Sequence, residues 1–416
     1  MSQITVSVGQ KKGDFVGRTQ MALQAAVDYV ARLGGGTVTI GPGVWEMGNS
    51  LFIRKHVRII GSGDDTVLRK CPSEETPLLD DIDWYGTSAR VKDPGIFSVG
   101  GGLLLRGKSP HSDRIVYCKR TVVAIDSDTV HLDRDPRDNF WTDTDPVAAT
   151  LFPVITGDYV NDVTIESLCI DGNRANNDEL NGNYGGGIFI QDCDRIVIRD
   201  VTSRDNNSDG MSWQVCDDVT VEGCRVLDNA NLGLHAGSGS QRSQVRDCTL
   251  ERNGQGFFFC WGVRDSILER CTIEESETQG ISIGHRDTDN VIRGNTVRRS
   301  GANGIHFRTH PQAKRDPHRN LFERNLIEDS GTKGDCVAIE MLGAAEDVVL
   351  RENTIRDTRR KAKSRTRIGL RIGEQIQRLC LEGNTFEGVE QDGNKDPDCR
   401  NTERTAQLVC HDGEDD

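Results

Sequence analysis

Between residues 185 and 310 apolar and polar positions alternate in short runs, and one pattern recurs. Gly187-Ile188-Phe189-Ile190 is followed by Gly210-Met211-Ser212-Trp213, Gly233-Leu234-His235-Ala236, Gly256-Phe257-Phe258-Phe259, Gly280-Ile281-Ser282-Ile283 and Gly304-Ile305-His306-Phe307. The leading glycines fall 23, 23, 23, 24 and 24 residues apart. After each block come two further short runs, such as Asp218-Val219-Thr220-Val221 and Cys224-Arg225-Val226. Three short β segments per repeat, joined by Asn/Asp/Gly-rich corners, predict a parallel β-helix. Helical repeats would instead space their apolar residues by three and four.

Strand alternation then assigns directions. The first and third residues after each glycine are nearly all apolar and are expected inside. The second and fourth are expected to line the outer face, coil upon coil, about 4.8 Å apart. One outward row reads Phe189, Ser212, His235, Phe258, Ser282, His306 and Ala338; the next reads Gln191, Gln214, Gly237, Cys260, Gly284, Arg308 and Glu340. Trp261 and His285 follow at a corner. Trp213, by parity, belongs to the core.

Four segments follow from this period: residues 1–72 (cap and first coils), 73–155 (an inserted β and loop substructure), 156–390 (the main helix of coils) and 391–416 (an acidic tail). Leu23, Ala26, Val27, Val30 and Leu33 share one face of a helix over 17–33, ended by Gly34-Gly35-Gly36. A solenoid exposes core and strand edge at its end, and this helix is read as the cover. Residues 73–155 break the period. Lys361 to Arg367 read as a solvated basic loop.

Net charge is −14, from 65 acids and 51 bases, which argues against sequence-independent nucleic-acid binding. No apolar run is long enough to cross a membrane. Met1-Ser2-Gln3-Ile4-Thr5-Val6 lacks a basic end and an apolar run, so no export signal is read there. Localisation and oligomeric state stay open. Of thirteen cysteines, Cys224, Cys248 and Cys271 occupy one position in consecutive coils. Asn295, Asn325, Asn353 and Asn384 continue that row, so the cysteines are read as a reduced internal ladder. Cys399 and Cys410 are the only pair suspected of bridging.

The cap helix, the Gly-rich first coil, Asp171-Gly172-Asn173 and the Gly-led coils together resemble the pectin-lyase-like superfamily. That resemblance covers most of the chain, leaving out 73–155 and the tail. It implies an all-β, right-handed parallel β-helix and a carbohydrate-active function, shared among lyases, hydrolases, epimerases and tailspikes. Polygalacturonases of this superfamily carry Asn-x-Asp-Gly, Asp-Asp, Gly-His-Gly and Arg-Ile-Lys on successive coils. Asn207-Ser208-Asp209-Gly210 is similar to the first. Asn231-Leu232 lacks the second, Thr278-Gln279-Gly280 lacks the histidine of the third, and His306-Phe307-Arg308 keeps a basic version of the fourth. Asp316-Pro317-His318 is similar to the Asp-Pro-His of alginate C5-epimerases but sits in a corner.

The expected chemistry is β-elimination on a uronate polysaccharide, which needs a base at C5 and positive charge at the carboxylate. His235 or His285 is the candidate base. Arg308, with Arg286 and His306, is the candidate carboxylate holder, and Asp209 orients a histidine or a sugar hydroxyl. Trp261 and Phe258 offer stacking surface, with Gln214 and Glu340 as further substrate contacts. The rivals are ordinary: histidines capping stacked rows, an Arg308–Glu340 ion pair, and Asp/Asn corners. Asp287-Thr288-Asp289-Asn290 reads as such a corner, with metal binding as its alternative. Calcium at Asp171, Asn173 and Asp178 is set against a plain turn, and no cofactor is assigned. A hydrolase needs two facing carboxylates; Asp209 and Glu340 lie five coils, about 24 Å, apart, so Asp209 would need a partner from 73–155. Lyase is therefore placed above hydrolase, with a non-catalytic tailspike-like binding protein as the further alternative.

Overall fold

The computed structural model describes residues 4–312, 315–359 and 366–389. Two compact units are present, Met1–Phe258 and Phe259–Asp416, and each is described by itself. Most of the basic stretch 361–367, the tail 391–416 and the pair Cys399/Cys410 lie outside the described residues.

In the first unit parallel strands stack by coil. One sheet runs Ile4–Gly9, Gly36–Ile40, Val57–Lys70, Asn161–Asp171, Asp194–Arg199, Thr220–Glu222, Gln244–Arg246. Another runs Leu51–Phe52, Ile155–Asp158, Ile188–Gln191, Met211–Gln214, Leu232–Ala236. Arg58 lies opposite Thr164 and Leu51 opposite Ile155, so the coils close directly across the insertion. Between them, strands from Glu75 to Ala149 form a separate six-stranded antiparallel sheet. Its own core includes Leu103, Leu105, Val130 and Phe140. The helix Gln20–Arg32 buries Leu23, Ala26, Val27 and Val30, as its apolar face requires. Leu33, expected on that face, is exposed because the helix has already ended there.

The second unit repeats the plan. Its strands Ile281–Ile283, Ile305–Phe307, Val337–Met341 and Ile368–Ile372 pair in parallel. The register places Ser282, His306, Glu340 and Arg371 in one row. Glu340 therefore neighbours His306, and the expected row of Arg308 beside Glu340 is corrected by two residues. The loop between Glu328 and Val337 is longer than the corresponding loops before Ile281 and Ile305, and this displaced the count.

Inside the coils, polar residues satisfy one another along the stacking axis. Asn295, Asn325, Asn353 and Asn384 form the expected ladder, each amide donating to the next carbonyl oxygen at 2.9–3.0 Å. Cys271 heads it, its N–H donating to Asn295 Oδ1 at 2.9 Å. The first unit carries a second ladder, Asn206–Asn229–Asn253. Cys224 and Cys248 are buried, each Sγ donating to a backbone carbonyl. Trp213 is wholly buried and donates to Ser243 Oγ.

Corners turn through left-handed residues, many of them charged. Asp162/Arg195, Asp218/Arg242 and Asp228/Arg252 in the first unit, and Asp289/Arg319 in the second, all have φ between 52° and 61°. Each arginine makes a two-pronged bond to the aspartate one coil earlier. Asp tolerates this backbone region, and the fork geometry suits stacked corners. Val215 sits at φ 51° without such a reason, β-branched and 53% exposed. Val215→Gly is expected to raise stability by about 1 kcal/mol; urea unfolding showing no gain, or a loss, would count against a strained corner. Among the described residues no helix is long and apolar enough to cross a membrane.

Candidate functional site

Asp209 and His235, from neighbouring coils, meet in the first unit. His235 Nδ1 lies 2.8 Å from Asp209 Oδ2, while Gln214 Nε2 approaches His235 Nε2 at 3.4 Å. Since an amide nitrogen only donates, Nε2 accepts and Nδ1–H donates to Asp209. Leu232 N–H occupies Asp209 Oδ1, and Gln214 also bonds Ser212 Oγ and the Ser238 N–H. His235 is only 2% exposed and Asp209 1%. Phe258 packs edge-on against the imidazole at 5.3 Å, and a Cβ on Gly182 would fall 2.2 Å from Asp209 Oδ2. The row expected to be open is thus covered here: Phe189 and Ser212 are buried too. Asp209 finds its partner in His235 on the next coil, not in the insertion.

Arg308, in the second unit, points inward across its neighbours. It donates to Phe259 O at 2.5 Å, Cys260 O at 3.0 Å and Ser282 Oγ at 2.8 Å, and pairs with Asp287 Oδ2 at 3.3 Å. Asp287 is fully buried and also accepts the N–H groups of Val263 and Gly284. His306 Nδ1 stands 3.3 Å from Glu340 Oε2, and Arg371 takes Oε1 at 3.0 Å. The imidazole first, then the guanidinium, hold Glu340 below the usual carboxylate range. Arg308 and Glu340 therefore have separate partners.

Trp261, His285 and Arg286 do come together. The indole is 46% exposed and its centroid lies 4.7 Å from His285. His285 and Arg286 both have positive φ, 45° and 69°. Burial, then Arg308 and His310, keep His285 below the ordinary imidazole range. His310, which the strand pattern passed over, stands edge-on to His285 at 5.4 Å.

The oxygen-rich corners are internally satisfied. Asp171 accepts from its own turn at Asn173 and pairs with Arg204, and Asp289 is held by Arg319. Asp316 accepts the N–H groups of His310 and Ala344, and His318 accepts that of Glu346. Among the described residues no group of three or more His, Cys, Asp or Glu is disposed to hold a metal ion.

A cleft of about 770 Å³ lies in the first unit between early coils and the inserted sheet. Its floor includes Phe52, Thr156 and Phe189, one stacked row. Its other wall comes from the inserted strand Ile115–Asp126, which carries Tyr117 and Lys119. Lys119 Nζ sits 3.8 Å over the Phe189 ring, a cation–π geometry. Burial pulls this ammonium down to about 8, opposed by Asp158. Tyr117 stacks on Tyr184 at 5.1 Å, Tyr159 is 72% exposed, and Arg134 and Arg137 stand exposed on the lining. Nothing in the repeat pattern announced Lys119, because the insertion has no period; Phe189, already in the outward row, was the only signal.

A family model described as the right handed beta helix region matches residues 186–355. No curated protein matches the sequence. Among solved structures, the Streptococcus pneumoniae surface adhesin PfbA superposes with a TM-score of 0.59 at 13% identity, covering 96% of each chain. The A-module of the Azotobacter vinelandii mannuronan C-5 epimerase AlgE4 gives 0.56 at 14%, covering 92% of this chain and 96% of that one. The Dettilon tailspike protein gives 0.56 at 10%, covering 90% and 59%. At such identities the likeness is one of fold, and it agrees with the stacked parallel sheets. The chain folds as a right-handed parallel β-helix, with residues 186–355 matching that family model directly.

Proposed function

We propose that the protein binds an acidic polysaccharide in the cleft of the first unit and cleaves it by β-elimination. The observation that carries this reading is Lys119, a partly desolvated amine over Phe189 in a cleft lined by tyrosines and arginines. Elimination removes the proton at C5 of a uronate, breaks the bond from C4 to the leaving oxygen, and leaves a C4=C5 double bond. Lys119, neutral once deprotonated, takes the C5 proton. Arg134 neutralises the carboxylate. The Tyr117–Tyr184 pair gives a stacking surface, and a tyrosine hydroxyl returns a proton to the leaving oxygen. The mannuronan C-5 epimerase adds a precedent for C5 chemistry on this fold, and no more. His235 and Asp209 are assigned to holding the coils, since both are enclosed and paired.

Incubation with pectate, alginate and glycosaminoglycans, following ultraviolet absorbance and new reducing ends together, tests the reading. Both signals are expected to rise with at least one polymer. Reducing ends without absorbance would mean hydrolysis and overturn elimination. Retention on an immobilised polymer with neither signal would leave a binding protein, as the adhesin neighbour is by its name.

A further inference from the structure

The geometry points to a second saccharide site, in the unit Phe259–Asp416, that recognises an oxyanion carried on a sugar ring through Trp261, His310 and Arg315. It goes beyond the cleft assigned above and rests on that reading only for the choice of probes.

The argument starts from hydrogen-bond polarity. Gln312 N–H donates to His310 Nδ1 at 3.0 Å, so the neutral ring carries its proton on Nε2. That N–H faces Arg315 Nη1 at 3.3 Å, and a guanidinium nitrogen has only donors to offer. Two donors thus confront one another, and an acceptor oxygen seated against both converts the mismatch into a pair of charge-assisted bonds. The donors are held in place. Asp316, buried, accepts the N–H of His310 at 3.0 Å and of Ala344 at 2.7 Å, and Arg286 N–H donates to Arg315 O at 2.7 Å. Beside them stands the exposed indole of Trp261, its centroid 6.5 Å from His310 and 4.7 Å from His285. An aromatic face next to fixed donors suits a pyranose bearing a charged group. His285 and Arg286 sit on consecutive left-handed residues, a strained turn of the kind found at ligand sites. The oxyanion is a uronate carboxylate or a sulfate ester, which the donors alone do not distinguish.

The test uses the full chain carrying Lys119→Ala, so that no probe is consumed. Calorimetric titration with oligogalacturonate, a chondroitin sulfate oligosaccharide and neutral maltotetraose is compared with the same chain bearing Trp261→Ala, Trp261→Phe or Arg315→Ala. At least one charged probe is expected to show a second binding event beside that of the cleft, and this second event should weaken about tenfold or more with Trp261→Ala and Arg315→Ala. Trp261→Phe should keep most of it, which guards against a folding defect. Galacturonate binding alone identifies a carboxylate site; chondroitin sulfate alone identifies a sulfate site. Unchanged affinity in both alanine variants, equal binding of maltotetraose, or silence from both charged probes overturns the proposal. Failure of the elimination reading would appear separately, as no ultraviolet product from the parent chain while these titrations still discriminate.

Discussion

Lys119→Ala is expected to lower polysaccharide cleavage by about a thousandfold, the scale of a lost general base, while binding of the polymer weakens far less. The physical reason is the environment of the amine. Its stem emerges from an inserted strand paired with Gly102–Lys108, and its head is pressed against Phe189. Desolvation there disfavours the charged form and brings Lys119 down to about 8. A base must be neutral to act, so the cleavage rate should climb with pH and level off above about 8. Lys119→Arg keeps the positive charge but cannot deprotonate near that pH, and it should be as inactive as the alanine variant. Initial rates across pH, measured by ultraviolet absorbance, decide the matter. An arginine variant with near-parental rates would reassign Lys119 to holding the carboxylate. A rate that falls as pH rises through 8 would make it an acid.

How much of this was legible beforehand follows from what repeats. Glycine-led strands recur because every coil solves the same packing problem, so core residues such as Ile188, Trp213 and Ile281 could be placed from parity alone. The Asn295 to Asn384 ladder was visible for the same reason. Burial of Phe189 and Asp209 was not visible, because what covers them comes from aperiodic chain. Lys119 reaches Phe189 from the insertion, and Gly182 closes over Asp209 from a loop. Parity gives the side of a sheet on which a residue stands, but not what lies against that side. The register of Glu340 failed for a related reason: a long loop before Val337 shifts the count by two, and only backbone pairing with His306 resolves it. His310 and Arg315 belong to such a loop, so their opposed donors had no sequence signature. Trp261 and His285, one coil apart at a corner, did.

At pH 8, where its carboxyl is ionised, replacing Asp287 by alanine should destabilise the second unit by about 3–5 kcal/mol, the cost of stranding a buried charge. Asp287 pairs with the Arg308 guanidinium, which also donates to the neutral acceptors Phe259 O, Cys260 O and Ser282 Oγ. The carboxylate also ties down the N–H groups of Val263 and Gly284, which would be left buried without acceptors. Asp287→Asn keeps an acceptor oxygen and should cost less. It also isolates a pH effect. Burial pushes the Asp287 carboxyl up to about 7, with Arg308 and the backbone N–H groups pulling the other way. The folded chain therefore holds this proton over a range in which the unfolded chain, near the ordinary 3.8, has released it. By linkage the aspartate's advantage over asparagine is largest near pH 4, shrinks as pH rises, and is smallest above about 7. Urea unfolding of both chains at pH 5 and pH 8 measures the difference. An equal advantage at the two pH values would mean that the Arg308 ion pair outweighs desolvation, and that Asp287 stays ionised across that range.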